Sequence, residues 1–191
     1  MNRLSSRINK RLKQCPPNMK QILVPRSKNV KPKQTETYYK KKNKIYPTIL
    51  SVTEPHEVIH GERAVQKHVP KFLHRHTGDV DILTPTPYAD AMESERALDK
   101  LMGQDIFYID KGQHPGTWRV KSRTNDESVA DYTKPDKQMP PHTKIGGINY
   151  VTKTYIKKHN KEILNDSMSG FRHQKDQDTL NRIKIAERRR K

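Results

Sequence analysis

Asp79 and Asp81 stand two residues apart in the run Gly78-Asp79-Val80-Asp81-Ile82-Leu83. On an extended strand side chains alternate between faces, so the two carboxylates share one face and Val80 and Ile82 share the other. Their Cα atoms then lie roughly 6.5–7 Å apart. Two acids this close repel unless a counter-charge joins them. Mg²⁺ supplies one, because it takes oxygen ligands, and a two-metal centre calls for a further carboxylate. Val129-Ala130-Asp131 offers it: a single acid on an otherwise apolar strand end, fifty residues after Asp81. The set predicts divalent-metal chemistry with Asp79, Asp81 and Asp131 as metal ligands and catalytic acids.

Several elements must position these acids. An apolar segment opens at Ile45, Ile49, Leu50 and Val52. Ala64, Val65, Val69 and Phe72 recur near a 3.6-residue period, which predicts helix over 62–73 with a break at Pro70. Val80, Ile82 and Leu83 predict a short strand, and Thr84-Pro85-Thr86-Pro87 a turn. Thr86 is placed to cap the next helix, with Pro87 at its first position and Gly103 as its stop after Met102. Strands are predicted over 106–109, 118–122 and 128–132, with turns at Gly112 and at Asn125-Asp126. Gly146-Gly147 reads as a hairpin turn before a strand at 148–151, and helices follow over 153–164 and 171–188. The fold class is mixed α/β (α+β), a small mixed sheet flanked by helices.

The ordered set resembles the nucleotidyltransferase superfamily with the DNA polymerase beta-like palm. The matching residues are Val58-Ile59-His60-Gly61-Glu62, a helix, Asp79-Val80-Asp81-Ile82, then Val129-Ala130-Asp131. The resemblance implies that the turn at Gly61 starts a helix and holds nucleotide phosphates. It also implies that Asp79 and Asp81 are the metal pair and Asp131 the third carboxylate, with Mg²⁺ as cofactor and a nucleoside triphosphate as substrate. Glu62 stands where the family has Gly or Ser, so an acid is expected to face the triphosphate, with Arg63 offsetting it by reaching a phosphate. Lys175-Asp176-Gln177-Asp178 resembles the Lys-Asp-x-x-Asp helix that ends small, minimal members, one residue tighter. The resemblance covers about residues 58–185.

Charge divides the chain differently. The net charge is +18 over 191 residues, and residues 1–44 hold 14 Lys/Arg against one acid, Glu36. The remainder holds 25 basic and 20 acidic residues. Two parts are therefore expected: an extended basic arm over 1–44 and a nucleotidyltransferase-like domain over 45–191. Pro16, Pro17, Pro25 and Pro32 interrupt any long helix in the arm. Tyr38-Tyr39-Lys40-Lys41-Lys42 mixes rings with cations, a pattern that binds phosphates and stacks on bases; a solvated linker has the same composition. The arm favours nucleic acid or an acidic protein surface. Two functions stay open: nucleotidyl transfer to a nucleic-acid or protein acceptor, and non-catalytic nucleic-acid binding or assembly in a virion or ribonucleoprotein particle, where partners order the arm.

Other features narrow the field. Cys15 is the sole cysteine, so no intrachain disulfide forms and a reducing intracellular compartment fits. No stretch approaches the apolar length of a membrane span. Arg3, Arg7 and Arg11 at helical spacing also suit a mitochondrial presequence. His68, His74 and His76 lie close in sequence but lack the cysteines and defined spacing of a zinc site. Trp118 is expected in the core, with His114 on a hairpin loop and Lys134 on a solvated one.

Overall fold

Asp81 sits at the middle of a seven-stranded sheet, and the elements around it are built from short apolar segments. The computed structural model describes residues 32–189. Most of the expected basic arm, Cys15, and the last two residues lie outside them. The chain begins with helix α1 (Pro32–Lys41), a 3₁₀ turn at Lys42–Lys44 and helix α2 (Ile45–Val52). Strand β1 (Val58–His60), helix α3 (Gly61–His68), strand β2 (Asp81–Leu83) and helix α4 (Pro87–Met102) follow. Three antiparallel strands come next: β3 (Phe107–Lys111), β4 (Thr117–Ser122) and β5 (Ser128–Thr133). A hairpin of β6 (His142–Ile145) and β7 (Ile148–Val151) leads to helices α5 (Lys153–Asn165) and α6 (His173–Arg188).

The strand order is β3-β4-β5-β2-β1-β7-β6. β2 runs parallel to β5 and antiparallel to β1, and β1 runs parallel to β7, so the sheet is mixed as expected. Helix α4 lies across β3, β4 and β5. Its core contacts come from Ala91, Leu98 and Met102, the positions that a helical period brings to one face. It stops at Gly103. Thr86 is its N-cap residue, but the hydroxyl donates to the buried Asp90 carboxylate at 2.8 Å and not as acceptor to a backbone N–H. Thr84 also donates to Asp90, and the His56 ring lies 3.4 Å away. Gly146 and Gly147 both have positive φ, 58° and 87°, as a two-residue hairpin of the I′ type requires.

Two departures from the sequence reading have clear causes. Helix 62–73 ends at His68, because Val69 precedes Pro70 and takes an extended conformation; only a 3₁₀ turn at Lys71–Leu73 follows. Residues 32–44, expected in an extended arm, are helix and 3₁₀ turn. Tyr38 is 1% exposed, with its ring 6.1 Å from that of Phe107. Lys41 Nζ donates to Leu101 O at 2.7 Å, at the end of α4, where unpaired carbonyls attract cations. Gln34 Nε2 donates to Asp105 O at 3.2 Å. One aromatic anchor and these bonds turn a basic segment into part of the domain.

Helices α3 and α6 are joined by an ion pair. Glu62 and Arg182 are both buried, and the guanidinium grips the carboxylate with two bonds of 2.8 Å. Arg75 Nη2 adds a contact of 3.2 Å to Glu62, and Asp178 lies 3.0 Å from Arg182 Nε. Glu62 therefore faces α6 and not a triphosphate; the expected clash with phosphate does not arise. Removing one partner of such a pair strands a buried charge, at about 3–5 kcal/mol. Arg182→Met is expected to lower unfolding free energy by about that amount in urea melts. The double variant Glu62→Leu/Arg182→Met should recover most of the loss. Losses that simply add would contradict the pairing.

Candidate active site

One row of residues runs in register across five strands. His60 on β1 faces Asp81 on β2, Asp81 faces Asp131 on β5, Asp131 faces Arg119 on β4, and Arg119 faces Asp110 on β3. Residues directly opposite on neighbouring strands share a sheet face. The β pairing thus brings Asp81 and Asp131 together from fifty positions apart. Val80 and Ile82 are buried on the other face, as the alternation predicts.

Asp79 precedes β2. Its carboxylate accepts from Thr77 Oγ1 at 2.5 Å. Arg63 fastens this segment, with Nε donating to Asp79 O at 3.2 Å and Nη2 to Thr77 O at 3.1 Å. The guanidinium also lies 4.1 Å from the Tyr46 ring centroid. Arg63, expected to reach a phosphate, is committed to two backbone carbonyls and an aromatic face. It positions Asp79.

Gly61 opens α3 with φ +61°, a region that L side chains rarely adopt. A Cβ there would lie 1.9 Å from Asp81 Oδ2. The bare backbone is what allows the turn to press against the carboxylate.

Electrostatics mark the same place. Burial and the Asp79 charge raise Asp81 to about 6, against the pull of Lys175 and Arg172. Burial raises Asp131 as well; the hydrogen bond from Ser128 lowers it, and the charges of Asp81 and Asp79 push it up. Burial, with the charges of His159 and Arg172, holds His60 down to about 4, so its imidazole is neutral at pH 7. The three carboxylates feel one another, and two cations from the start of α6 feel Asp81. In the sequence the run Lys175–Asp178 stands out by resemblance only, and neither Arg172 nor Lys175 has a role assigned. Their approach to Asp81 depends on how α6 packs.

Asp79, Asp81 and Asp131 are the residues that would hold a divalent cation at this place. Their donor set, three carboxylates with two of them facing each other in register, suits Mg²⁺. Their oxygens are not gathered as tightly as those of Glu95, Asp99 and Asp105, the trio among the described residues whose ligand atoms lie within 4.8 Å of one another. In that trio Asp99 accepts from the N–H groups of Ile106 and Phe107, at 2.8 and 2.9 Å, and Asp105 lies 3.4 Å from Arg123. It secures the entry to β3.

The remaining candidates disperse. Tyr38 is buried and Lys41 is bound to a carbonyl, so neither is free to meet a nucleic acid; Tyr39 and Lys40 remain exposed, and Lys42 lies 3.9 Å from Glu127. His68 contacts Val151 O at 2.8 Å and His74 contacts Val69 O at 3.1 Å, so these histidines serve the backbone. Trp118 is half-buried with its ring 4.7 Å from that of Tyr88, and His114 and Lys134 are exposed. Asp176 is buried beside Arg172, and Asp178 pairs with Arg182.

No protein-family model matches the chain, and no curated protein does. Among solved structures, the crystal structure of the Megavirus polyadenylate synthase is similar, with a TM-score of 0.66 and 16% identity. The match covers 98% of this chain and 38% of that one, so the chain spans well under half the length of this neighbour. JHP933 from Helicobacter pylori matches at a TM-score of 0.43 and 12% identity, over 74% of this chain and 61% of that one. The first likeness supports a nucleotidyltransferase-like fold. No helix among the described residues is long and apolar enough to cross a membrane.

The raised Asp81 gives a testable sign. A carboxyl whose folded pKa lies above its unfolded value favours folding below the unfolded pKa, and that contribution is lost as pH rises through about 6. At neutral pH without divalent cations, the ionised Asp81 costs about 2–3 kcal/mol. Asp81→Asn should therefore raise Tm at pH 7.5 in EDTA, with the gain shrinking below pH 6 and vanishing near pH 4. A gain that is the same at every pH, or a loss at pH 7.5, would contradict the assignment.

Proposed function

We propose that the chain transfers a nucleotidyl group from a nucleoside triphosphate to an acceptor hydroxyl, with Mg²⁺ held by Asp79, Asp81 and Asp131. The observation that carries this reading is the in-register approach of Asp81 and Asp131, with Asp79 beside them and the Gly61 turn against Asp81. Bound divalent cations would supply Lewis-acid stabilisation of the phosphoryl oxygens and the leaving pyrophosphate. In the reaction the acceptor oxygen bonds to the α-phosphorus, the α–β phosphoanhydride bond breaks, and pyrophosphate leaves.

The chain's own groups have distinct tasks. Asp131 takes the proton of the acceptor hydroxyl, since it stands directly beside Asp81 and its pKa is already raised. Arg172 and Lys175 offer positive charge to the triphosphate from α6. Gly61 lets the backbone approach that triphosphate without a side chain in the way. Thr77 and Arg63 keep Asp79 in place.

A nucleic-acid acceptor agrees with the charge of residues 1–44, which hold 14 Lys/Arg against one acid. It also agrees with the fold shared with a polyadenylate synthase. A second reading is nucleic-acid binding or particle assembly without catalysis, favoured by exposed Tyr39, at 56%, beside the cations Lys40 and Lys42.

The decisive assay mixes the protein with Mg²⁺, α-labelled nucleoside triphosphates, and RNA or protein acceptors. Transfer of label is expected, with a loss of at least about 10³-fold in Asp79→Ala and Asp81→Ala. Absence of transfer together with absence of nucleotide and Mg²⁺ binding at millimolar concentrations would overturn the enzyme reading. Oligonucleotide binding without transfer would favour the second one.

A further inference from the structure

The segment after α3 displays an aromatic ring outward. Phe72 is 59% exposed, the most exposed large hydrophobic side chain among the described residues. Its surroundings are not loose. Arg182 Nη1 donates to Leu73 O at 3.1 Å, Gln66 Nε2 to Arg75 O at 2.6 Å, and the Arg75 N–H to Glu62 at 3.3 Å. The backbone on the C-terminal side of Phe72 is thus fastened to α3 and α6 while the ring stays in water.

A cation stands over that ring. The Arg189 guanidinium lies 4.5 Å from the Phe72 centroid. Ile185, one turn earlier on α6, is 41% exposed. Lys71 and Arg188 are also exposed, and the sequence continues with Arg190 and Lys191. Of the acids nearby, Glu62 and Asp178 are held by Arg75 and Arg182, and Glu187 by Lys153 and Lys157. The face therefore keeps an excess of positive charge around an apolar ring.

We propose that Phe72 and Arg189 form a stacking platform for single-stranded nucleic acid. An exposed ring with a guanidinium offers π-faces to unpaired bases, and the cations around it meet phosphates. The charge complements a polyanion, and a duplex, with its bases stacked inside, has no free base face to offer. The platform lies at the C-terminal end of α6, about 21 Å along the helix from Lys175, whose charge reaches Asp81. An acceptor strand resting on it would span that length with several nucleotides for its end to reach the acids. That role rests on the nucleotidyl transfer proposed above; the binding itself does not.

Fluorescence anisotropy of the full chain with a fluorescein-labelled 12-nucleotide oligoadenylate, at several salt concentrations, tests the platform without requiring turnover. Phe72→Ala should weaken binding by about 5- to 100-fold with its salt slope kept, and Phe72→Trp should restore it. Arg189→Gln should lower the salt slope by about 0.7, the loss of one phosphate contact on a single strand. Affinity for a 12-base-pair duplex should not depend on Phe72. Oligoadenylate affinity unchanged in Phe72→Ala, or an equal loss for duplex, would overturn the platform, whether or not the label-transfer assay succeeds.

Discussion

The structure is organised around repulsion between carboxylates. Strand pairing sets Asp81 and Asp131 opposite each other on adjacent parallel strands, and Asp79 adds its charge from the segment before β2. Burial makes the repulsion worse, since the charged form loses water. A fold selected only for stability has little reason to keep three acids here. Burial and the Asp79 charge raise Asp81, the kind of shift that gathers at functional sites.

Much of the neighbourhood serves to hold this arrangement. Arg63 ties down Thr77 and Asp79, and Thr77 and Ser128 each bind one carboxylate. The Glu62–Arg182 pair locks α3 to α6, so the Gly61 turn and the cations at the start of α6 share one rigid frame. Glu62 is the second residue of α3 and yet points away from the acids. The acid that looked hostile to a phosphate on sequence grounds is part of what holds the turn in place.

The sequence carried the local parts of this picture. Alternation around Asp79-Val80-Asp81-Ile82 placed the acids on one face, and Pro87 and Gly103 marked the limits of α4 because they act within a few residues. Helix α1 was not legible: its Lys-rich sequence shows no apolar stripe, and the single buried ring of Tyr38 decides its fate by meeting Phe107 across the fold. Glu62 was misread for a similar reason, since its partner lies 120 positions later. Strand β6 has exposed His142, Thr143 and Lys144 and forms as an edge through backbone pairing with β7, which leaves no hydrophobic signature. The approach of Arg172 and Lys175 to Asp81 depends on helix packing and was equally out of reach.

Asp79, Asp81 and Asp131 are proposed to form one cation site. Crystals grown with Mn²⁺ and a non-hydrolysable nucleoside triphosphate, measured at the manganese absorption edge, test it directly. Anomalous density is expected between these three carboxylates, at the Gly61 end of α3. Anomalous density only at Glu95, Asp99 and Asp105, with the nucleotide bound elsewhere, would contradict it.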